Sequence, residues 1–323
     1  MTQISYQGQS YDCDGKSSVL ETLIAQGVSV PSSCKAGICQ TCLMRATKGS
    51  VPLESQKGLK PTLVAQNYFL ACSCYPTEDL VITLPETGNG RLMATVATIK
   101  SLNPDIVCVS MIPSGVLEYK AGQFINFFKD KLTARRYSLA SVPGIDEYLD
   151  LHVRKIPQGK VSTWIHETLK PGDSIEISEA LGDCFYVSGN PSQELLLLGT
   201  GSGLAPLYGI IKDALGQGHS GQIRLYHGSL NVAGLYFIEA LRLLAEQHQN
   251  FHYTPCISGP NVPEGFSSGT VLDVALLDVP KLAGWRVFLC GNPDMVKAAR
   301  KKVFLAGASM QNIYADPFLI APV

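Results

Sequence analysis

Four of the ten cysteines, Cys34, Cys39, Cys42 and Cys72, have a spacing that can hold a metal centre, C-x4-C-x2-C-x29-C. A [2Fe-2S] cluster needs four thiolates, and the two short intervals let one loop wrap an edge of it while a distant strand supplies the fourth. Gly37 lets the backbone N–H groups of that loop approach the sulfides. The spacing predicts a [2Fe-2S] site. A zinc ribbon or a set of reactive thiols is the alternative, although zinc sites favour paired C-x2-C knuckles and one such pair occurs here.

Cys74 competes with Cys72 for the fourth ligand position, because the sequence LACSC offers both. Residues 1 to about 87 resemble plant-type [2Fe-2S] ferredoxins, which have a β-grasp fold and whose last ligand follows a leucine and a small residue. This resemblance selects Cys72 and implies that Cys74 is a packed free thiol. Gln40 departs from the family, which usually carries glycine or serine there, and the difference concerns hydrogen bonding to the cluster rather than its ligation.

The elements around these cysteines indicate a small module of their own. Short strands are predicted over 3–6 and 10–12, and a helix over 19–26 begins at a Ser18–Glu21 capping box. A strand-like run at 80–84 enters a segment, 85–90, whose proline and glycines indicate a linker. We therefore expect a ferredoxin domain, a barrel domain and a nucleotide-binding domain. Their expected bounds are 1–88, 89–188 and 189–323.

The middle segment carries short β-prone runs with turn signals between them, which predict a small antiparallel barrel. These runs lie at 94–101, 106–112, 123–128, 148–154 and 174–178. Within the segment, Arg135, Tyr137 and Ser138 form an R-x-Y-S sequence. An arginine fork suits a pyrophosphate, a tyrosine can lie on a planar ring, and a serine hydroxyl can bond a ring nitrogen. Taken alone, an exposed cross-strand ladder is the more ordinary interpretation.

A glycine loop further along opens a predicted helix over 162–169, which is a phosphate-binding arrangement or an ordinary helix cap. Together with R-x-Y-S, this loop resembles the ferredoxin–NADP⁺ reductase superfamily. The resemblance implies FAD, with Arg135 and the loop at the pyrophosphate and with Tyr137 and Ser138 facing the isoalloxazine. The other flavin residues that it implies are His152, Val153, Arg154, Gly159, Lys160, Val161 and Ser162.

The last segment contains a strand-to-helix junction rich in glycine. A leucine run at 194–198 enters Gly199, Thr200, Gly201 and Gly203, and the glycines allow the backbone close to a phosphate. The third glycine comes one residue too early for a Rossmann fingerprint. The sequence instead resembles the G-T-G-x-G-x-A-P of the same reductase superfamily, and it implies a nicotinamide coenzyme.

A second junction supports the same interpretation. The strand 285–290 ends in Cys290, Gly291 and Asn292, which resemble the C-G-x-P that the superfamily places at the nicotinamide. An ordinary core cysteine is the alternative for Cys290. Phe318 stands in the carboxyl-terminal part that often covers the flavin in this family, so it is a candidate for that role.

The coenzyme preference is predicted from the strand 222–227 of this last segment. NADPH-using relatives carry arginine or lysine after that strand to bind the 2′-phosphate, whereas the first cationic residue after it here is Arg242. A phosphate dianion would lack a partner. The sequence therefore favours NADH.

The composition sets the general class. The chain has 323 residues, of which 46% are hydrophobic, and this suits two or three globular domains. A net charge of -1 gives no basic field that would hold nucleic acid or an anionic membrane. Apolar runs are much shorter than the ~18 residues of a transmembrane helix. We expect a cytoplasmic protein that is a monomer when free.

In the order ferredoxin, flavin barrel and nicotinamide domain, the chain resembles the reductase components of bacterial multicomponent oxygenases, of the benzoate dioxygenase and methane monooxygenase reductase type. This resemblance implies a path from NADH to FAD to [2Fe-2S] and on to a terminal oxygenase, a Rieske dioxygenase or a diiron monooxygenase, or to its ferredoxin. The implied catalytic residues are Ser138 at the hydride-accepting edge of the flavin and Thr200 and Cys290 at the nicotinamide.

Three other interpretations stay open. A reductase for a deoxysugar dehydratase shares the architecture, and a sodium-pumping quinone reductase subunit resembles it but needs a membrane anchor. From another class, the chain could be a non-enzymatic iron–sulfur or zinc binding module.

Overall fold

The computed structural model describes residues 2–37, 39–85, 90–131 and 133–319. The chain separates into two compact units, Met1–Thr87 and Gly88–Val323. Most of the predicted linker, residues 86–89, lies outside the described residues.

The first unit is built on a five-stranded mixed sheet of order β2-β1-β5-β3-β4. Strand β1 pairs antiparallel with β2 and parallel with β5, which in turn pairs antiparallel with β3. This is the predicted β-grasp arrangement. Its elements are β1 Thr2–Tyr6, β2 Gln9–Cys13, α1 Val19–Ala25, β3 Leu43–Lys48, α2 Pro61–Ala65, β4 Tyr68–Leu70 and β5 Leu80–Thr83.

Helix α1 forms where the sequence predicts it. Ser18 Oγ accepts a hydrogen bond from the Glu21 N–H, and the Glu21 carboxylate accepts one from the Ser18 N–H, which satisfies two of the free donors of the first turn. Leu20 and Leu23 are fully buried against the sheet. The helix therefore supports one face of the sheet.

The second unit begins with a six-stranded antiparallel sheet of order β10-β7-β6-β11-β8-β9. A bridge between Leu139 and Leu151 joins the two edge strands and closes the sheet into a barrel. Its elements are β6 Arg91–Asn103, β7 Ile106–Pro113, β8 Phe124–Phe128, β9 Ala134–Ser138, β10 Leu149–Arg154, α3 Lys160–Glu167 and β11 Ser174–Ser178.

Helix α3 lies two residues nearer the amino terminus than predicted. It starts directly after Gly159, whose backbone is extended, and it stops before Lys170. Because Pro171 disfavours helical backbone at Lys170, the chain cannot continue the helix to that point.

A parallel sheet of order β15-β14-β13-β12-β16-β17 completes the second unit. The predicted leucine run is its central strand, with Leu195 and Leu197 packed in one core and Leu196 and Leu198 in another on the opposite face. Its elements are β12 Leu195–Thr200, α4 Leu204–Gly216, β13 Ile223–Ser229, α5 Ile238–Gln247, β14 Phe251–Ile257, β15 Ser267–Ser268, α6 Val271–Asp278, β16 Arg286–Gly291, α7 Pro293–Leu305 and β17 Ile313–Pro317.

The order of this sheet determines where a ligand can bind. The chain leaves β12 towards β13 on one side and returns to β16 on the other, so a crevice opens at the carboxyl ends of these strands. In the described part of the chain, every helix is too short or too polar to cross a membrane.

Candidate functional site

The cysteine loop of the first unit directs backbone donors towards sulfur. The Ala36 and Cys39 N–H groups each lie 3.4 Å from Cys34 Sγ, and the Cys34 N–H lies 3.5 Å from Cys39 Sγ. Lys35 and Gln40 have left-handed backbone, with φ of 51° and 58°, which turns successive N–H groups to one side. The Thr41 hydroxyl, together with the N–H groups of Cys34 and Thr41, lowers the pKa of Cys39 to about 6. The loop is therefore shaped to hold thiolates.

The other two cysteines of the motif form a second pair. Cys42 and Cys72 are hydrogen-bonded neighbours, and the Ala71 N–H donates to the Cys42 carbonyl over 3.0 Å. Cys74 is fully buried, and burial raises its pKa to about 12. Cys72 thus faces the loop while Cys74 lies in the core, an arrangement that favours Cys72 over Cys74 as a ligand.

This donor set fits a [2Fe-2S] cluster. Its sulfurs arrive as two pairs, Cys34 with Cys39 and Cys42 with Cys72, and each iron of such a cluster takes two thiolates. We find no group of three or more histidine, cysteine or carboxylate side chains that could hold a single metal ion among residues 2–37, 39–85, 90–131 and 133–319.

A cavity of about 1300 Å³ in the second unit lies between the barrel and the carboxyl ends of the parallel strands. It receives side chains from β9, β10 and the start of α3 on one side and from the loops after β12, β13 and β16 on the other. The predicted residues on its wall are Arg135, Tyr137, Ser138, His152, Arg154, Gly159, Lys160, Val161, Ser162, Thr200, Gly201, Gly291, Asn292 and Phe318. The structure therefore brings the two predicted nucleotide motifs to one cavity.

Strand β9 positions the R-x-Y-S residues. Tyr137 packs its ring edge-on against the buried Phe127, with centroids 5.9 Å apart. Arg136, which the sequence analysis did not single out, also reaches the wall and lies over the Phe124 ring at 4.9 Å. An arginine, an aromatic ring and a hydroxyl thus follow one another along a single strand, as a flavin with its phosphates would require.

The loop before α3 is a cradle that a side chain would fill. A Cβ on Gly159 would lie 2.4 Å from Ser162 Oγ, so the backbone comes close only because this residue is glycine. Ser162 Oγ accepts from the Ile156 N–H at 3.1 Å, which fixes the hydroxyl in place. Since no side chain caps the first turn of α3, its N–H groups face the wall. This site fits a phosphate.

The glycine loop after β12 packs tightly against the end of β16. A Cβ on Gly203 would lie 2.3 Å from the Cys290 carbonyl oxygen. Thr200 Oγ1 accepts from the Asn292 N–H at 3.2 Å, and Asn292 Oδ1 caps α7 by accepting from the Asp294 and Met295 N–H groups. The two predicted nicotinamide motifs are therefore joined by a direct hydrogen bond.

Four predicted residues lie behind the wall rather than on it: Val153, Gly199, Gly203 and Cys290. Val153 is fully buried in the barrel core. Cys290 is also fully buried, with its Sγ 3.8 Å from Cys184 Sγ, and burial raises its pKa well above the usual value. In this arrangement the Cys290 thiol does not face the cavity.

Asp316 is a wall residue that sequence reasoning missed. Ser138 Oγ donates to Asp316 Oδ2 over 2.9 Å, although the two residues are 178 positions apart. Burial raises the pKa of the Asp316 carboxyl, and the neighbouring Asp183 adds to the rise. A lone carboxylate in a carboxyl-terminal strand gives no signal by type or spacing, so only the fold reveals it.

Arg154 lies closer to the glycine loop than its assignment to the flavin implies. Its Nη1 is 3.8 Å from the point where a Cβ on Gly201 would stand. The guanidinium is thus placed beside the glycine loop after β12.

A histidine and tyrosine cluster joins the barrel to the parallel sheet. His152 Nδ1 lies 3.0 Å from the Tyr236 hydroxyl, and the rings of His152 and His227 both pack edge-on against Tyr236. Burial lowers the pKa of both histidines to about 3, so both are neutral at physiological pH. His152 lies on the cavity wall, and Tyr236 and His227 support it from behind.

Three family models match successive parts of the chain. They are described as a 2Fe-2S iron-sulfur cluster binding domain over 3–77, an oxidoreductase FAD-binding domain over 94–186 and an oxidoreductase NAD-binding domain over 197–301. They confirm the three predicted cofactors and the order of the domains that bind them.

Relatives match over almost the whole chain. The reductase component of the naphthalene 1,2-dioxygenase system of Pseudomonas putida is 34% identical over 93% of both chains. The aromatic O-demethylase reductase subunit of an Amycolatopsis strain is 32% identical over 98% of both. A CDP-6-deoxy-L-threo-D-glycero-4-hexulose-3-dehydrase reductase of Yersinia pestis is 26% identical over 97% of this chain and 96% of its own.

The fold also matches a solved structure. The crystal structure of an Amycolatopsis cytochrome P450 reductase superposes with a TM-score of 0.70 and 30% identity, covering 98% of this chain and 99% of that one.

Proposed function

The chain belongs to the family of ferredoxin–NAD(P)H reductases that are reductase components of oxygenase systems, and from this premise we propose that it carries electrons from NADH to a terminal oxygenase. It is an NAD(P)H-dependent oxidoreductase with FAD and [2Fe-2S] centres. When bound, NADH supplies two electrons as a hydride, which the flavin accepts and passes on singly to the cluster.

One observation carries the proposal: the flavin motif and the nicotinamide motif line the same cavity. Ser138 on the barrel side and Thr200 on the sheet side both reach it. Hydride transfer requires two rings held in contact away from water, and a shared cavity provides this. Separate pockets would not support it.

The barrel residues hold and orient the flavin in this proposal. Arg135 and the loop from Gly159 to Ser162 bind the pyrophosphate, since a guanidinium and free helix N–H groups both favour anions. Tyr137 packs against the isoalloxazine ring of the flavin. Arg154, which lies beside Gly201, contacts the phosphates of NADH.

Ser138 and Asp316 form the polar edge of the flavin site. The hydroxyl is held by the carboxylate at 2.9 Å, and this contact fixes Ser138 Oγ at the ring edge. Because burial raises the pKa of Asp316, this carboxyl takes up a proton more readily than an exposed one. We assign Asp316 the role of orienting the Ser138 hydroxyl at the edge of the flavin site.

The sheet residues hold the nicotinamide. Thr200 and Asn292, joined by a hydrogen bond, provide the polar wall. Gly199 and Gly203 pack closely against their neighbours, and this holds the glycine loop against the end of β16. Cys290 shapes this wall from behind. A base is not required, because hydride transfer to a flavin needs none from the protein.

The cavity supports NADH as the coenzyme. Leu230 and Asn231 follow β13 on the wall, where relatives that use NADPH carry cations; Leu230 is 67% exposed, and Asn231 Oδ1 accepts from the Gly234 N–H. Among the described residues, the cationic side chains of the wall all come from the barrel. A 2′-phosphate at Leu230 would thus have no charged partner among the described residues of the wall on this side.

We also propose the domain bounds, the cluster ligands, the location of the protein and its oligomeric state. The domains span 1–88, 89–188 and 189–323, and the cluster ligands are Cys34, Cys39, Cys42 and Cys72. The protein works in the cytoplasm, where its six other cysteines stay reduced, and it is a monomer when free.

A test separates the acceptors. Purified protein, reduced with NADH, is mixed with a naphthalene-type dioxygenase component, a cytochrome P450 or a CDP-hexulose dehydrase, and reduction of each is followed. Rapid reduction of an oxygenase component supports the proposal. Reduction of the dehydrase alone supports the function of the Yersinia relative instead.

A further inference from the structure

The turn between β6 and β7 of the barrel brings a carboxylate to the coenzyme side of the cavity. Asp105 lies in this turn and on the cavity wall, as do Leu230 and Asn231 of the loop after β13. The described part of the wall holds two carboxylates, and the other one, Asp316, is bonded to Ser138 at the flavin edge. The function proposed above gives Asp105 no role.

A single amide group ties this turn to the loop after β13. Asn103 Nδ2 donates to the Gly234 carbonyl over 3.0 Å, and Asn103 Oδ1 accepts from the Asp105 N–H, also over 3.0 Å. Because both bonds come from one amide, the Asp105 nitrogen and the Gly234 oxygen are at most about 9 Å apart. Asn231 Oδ1 accepts from the Gly234 N–H over 3.1 Å. Asp105 therefore stands beside the loop at which a 2′-phosphate would lie.

The Asp105 carboxylate is free to contact a ligand. Its backbone is fixed, since its carbonyl accepts from the Lys155 N–H over 2.8 Å, whereas its side chain is exposed and makes no hydrogen bond or ion pair with the described residues. The two neighbouring cations are engaged elsewhere: Lys155 Nζ pairs with Glu167 over 3.0 Å, and Arg154 lies beside Gly201. The turn thus presents a negative charge to the cavity.

A carboxylate at this place distinguishes the two coenzymes. The adenosine ribose of NADH has free hydroxyls, and a carboxylate accepts hydrogen bonds from them, as the acidic residue of a Rossmann sheet does. NADPH carries a phosphate there, and like charges repel. The loop after β13 offers Leu230 and Asn231 rather than an acidic residue, so in this chain the carboxylate has to come from another element.

We propose that Asp105 of the barrel accepts hydrogen bonds from the adenosine ribose of NADH and repels the 2′-phosphate of NADPH, and that it thereby determines coenzyme specificity. The inference rests on the function proposed above and extends it. The loop after β13 lacks a cation for NADPH, and Asp105 adds an anion against it. Because Asn103 holds the turn to the sheet, the barrel selects the coenzyme as well as binding the flavin.

The test compares Asp105→Asn, which removes the charge and keeps the shape, with the unsubstituted holoprotein. We expect the ratio of kcat/KM for NADPH to that for NADH to rise about tenfold, through KM rather than kcat, since a charged contact is lost and a repulsion is relieved. Glu118→Gln is the matched control, because it removes an exposed barrel carboxylate that is not on the wall. It should leave the ratio unchanged.

Binding without turnover isolates the adenosine end of the site. Calorimetry with ADP-ribose, its 2′-phosphate and its 2′-deoxyadenosine analogue should show that the unsubstituted protein prefers ADP-ribose to both, and that Asp105→Asn reduces both preferences. Salt provides a second readout, because it screens repulsion between exposed charges. In the unsubstituted protein the ratio of NADPH to NADH efficiency should rise with ionic strength, and in Asp105→Asn it should not.

A ratio that Asp105→Asn leaves unchanged, including equal losses for both coenzymes, overturns the inference. Should this variant fail to fold, the unsubstituted protein decides: equal affinity for ADP-ribose and its 2′-deoxyadenosine analogue, or a ratio that does not rise with salt, overturns it as well. Flavin that neither coenzyme bleaches contradicts the proposed function instead.

Discussion

The cluster loop and the shared cavity differ in how the chain assembles them. Three of the four proposed cluster cysteines lie within residues 34–42, and local turns hold them. The cavity combines groups as far apart as Ser138 and Asp316. The cluster loop depends on a few residues of a small unit. The shared cavity depends on the packing of the barrel against the parallel sheet. Substitutions should therefore affect the cluster loop and the shared cavity independently.

Removing one cluster ligand should abolish the cluster and leave the reaction in the cavity intact. In Cys42→Ser the cluster is lost, since a serine hydroxyl replaces one of its four thiolates. Reduction of cytochrome c by NADH falls to background, while NADH still bleaches the flavin, because the cavity has no part in ligation. Absorption spectra and the cytochrome c assay measure both. Cys74→Ser, at the buried neighbour of the ligand pair, is the control and keeps the cluster. Unchanged cytochrome c reduction in Cys42→Ser would show that the linear path is wrong.

Local spacing explains why the cluster was predicted and Asp316 was not. The intervals between Cys34, Cys39 and Cys42 appear directly in the sequence, as does the capping box at Ser18. The bond from Ser138 to Asp316 exists only because β17 lies beside β16 at the open end of the parallel sheet. Likewise, Cys290 matches a family motif, but the sequence could not reveal that its thiol points into the core beside Cys184.

Removing one charged contact in the cavity should weaken FAD binding without abolishing it. Arg135→Ala deletes a guanidinium–phosphate contact worth about 1.5–3 kcal/mol, so the Kd for FAD rises about 10- to 100-fold. Titration of flavin-free protein measures the change. Arg300→Ala, at an exposed arginine of α7, is the control. A variant that retains FAD fully would place Arg135 outside the site.

Acid should destabilise the second unit through its buried histidines. All six histidines lie in that unit, and His152 and His227 have folded pKa values of about 3, below the unfolded value of about 6.5. Below pH 6.5 the unfolded chain therefore binds protons that the folded chain does not, and stability falls as the pH decreases. From pH 7 to 5.5 the two histidines together cost about 2.5 kcal/mol of stability.

Urea unfolding measures this effect, because both tryptophans, Trp164 and Trp285, lie in the second unit and cluster absorbance reports on the first. His227→Gln should roughly halve the loss between pH 7 and 5.5, whereas His252→Gln, at an exposed position, should not change it. An unaltered pH dependence in His227→Gln would mean that this ring is protonated in the folded protein.

The smallest effect concerns the coenzyme. Leu230→Arg supplies a cation for a 2′-phosphate at the loop after β13, and we expect kcat/KM for NADPH to rise about tenfold. Steady-state kinetics with NADH and NADPH measure the ratio, and Leu243→Arg on α5 is the matched control. If kcat/KM of the unsubstituted protein for NADPH already equals or exceeds that for NADH, the assignment of NADH is wrong.

The most direct test of the whole account is an anaerobic titration of the complete protein with NADH, followed by visible absorption and paramagnetic resonance. We expect the flavin absorption to bleach and a rhombic signal of a reduced [2Fe-2S] cluster then to appear. A bleached flavin beside a cluster that stays oxidised, although dithionite reduces it, would contradict the transfer of electrons from the cavity to the cysteine loop.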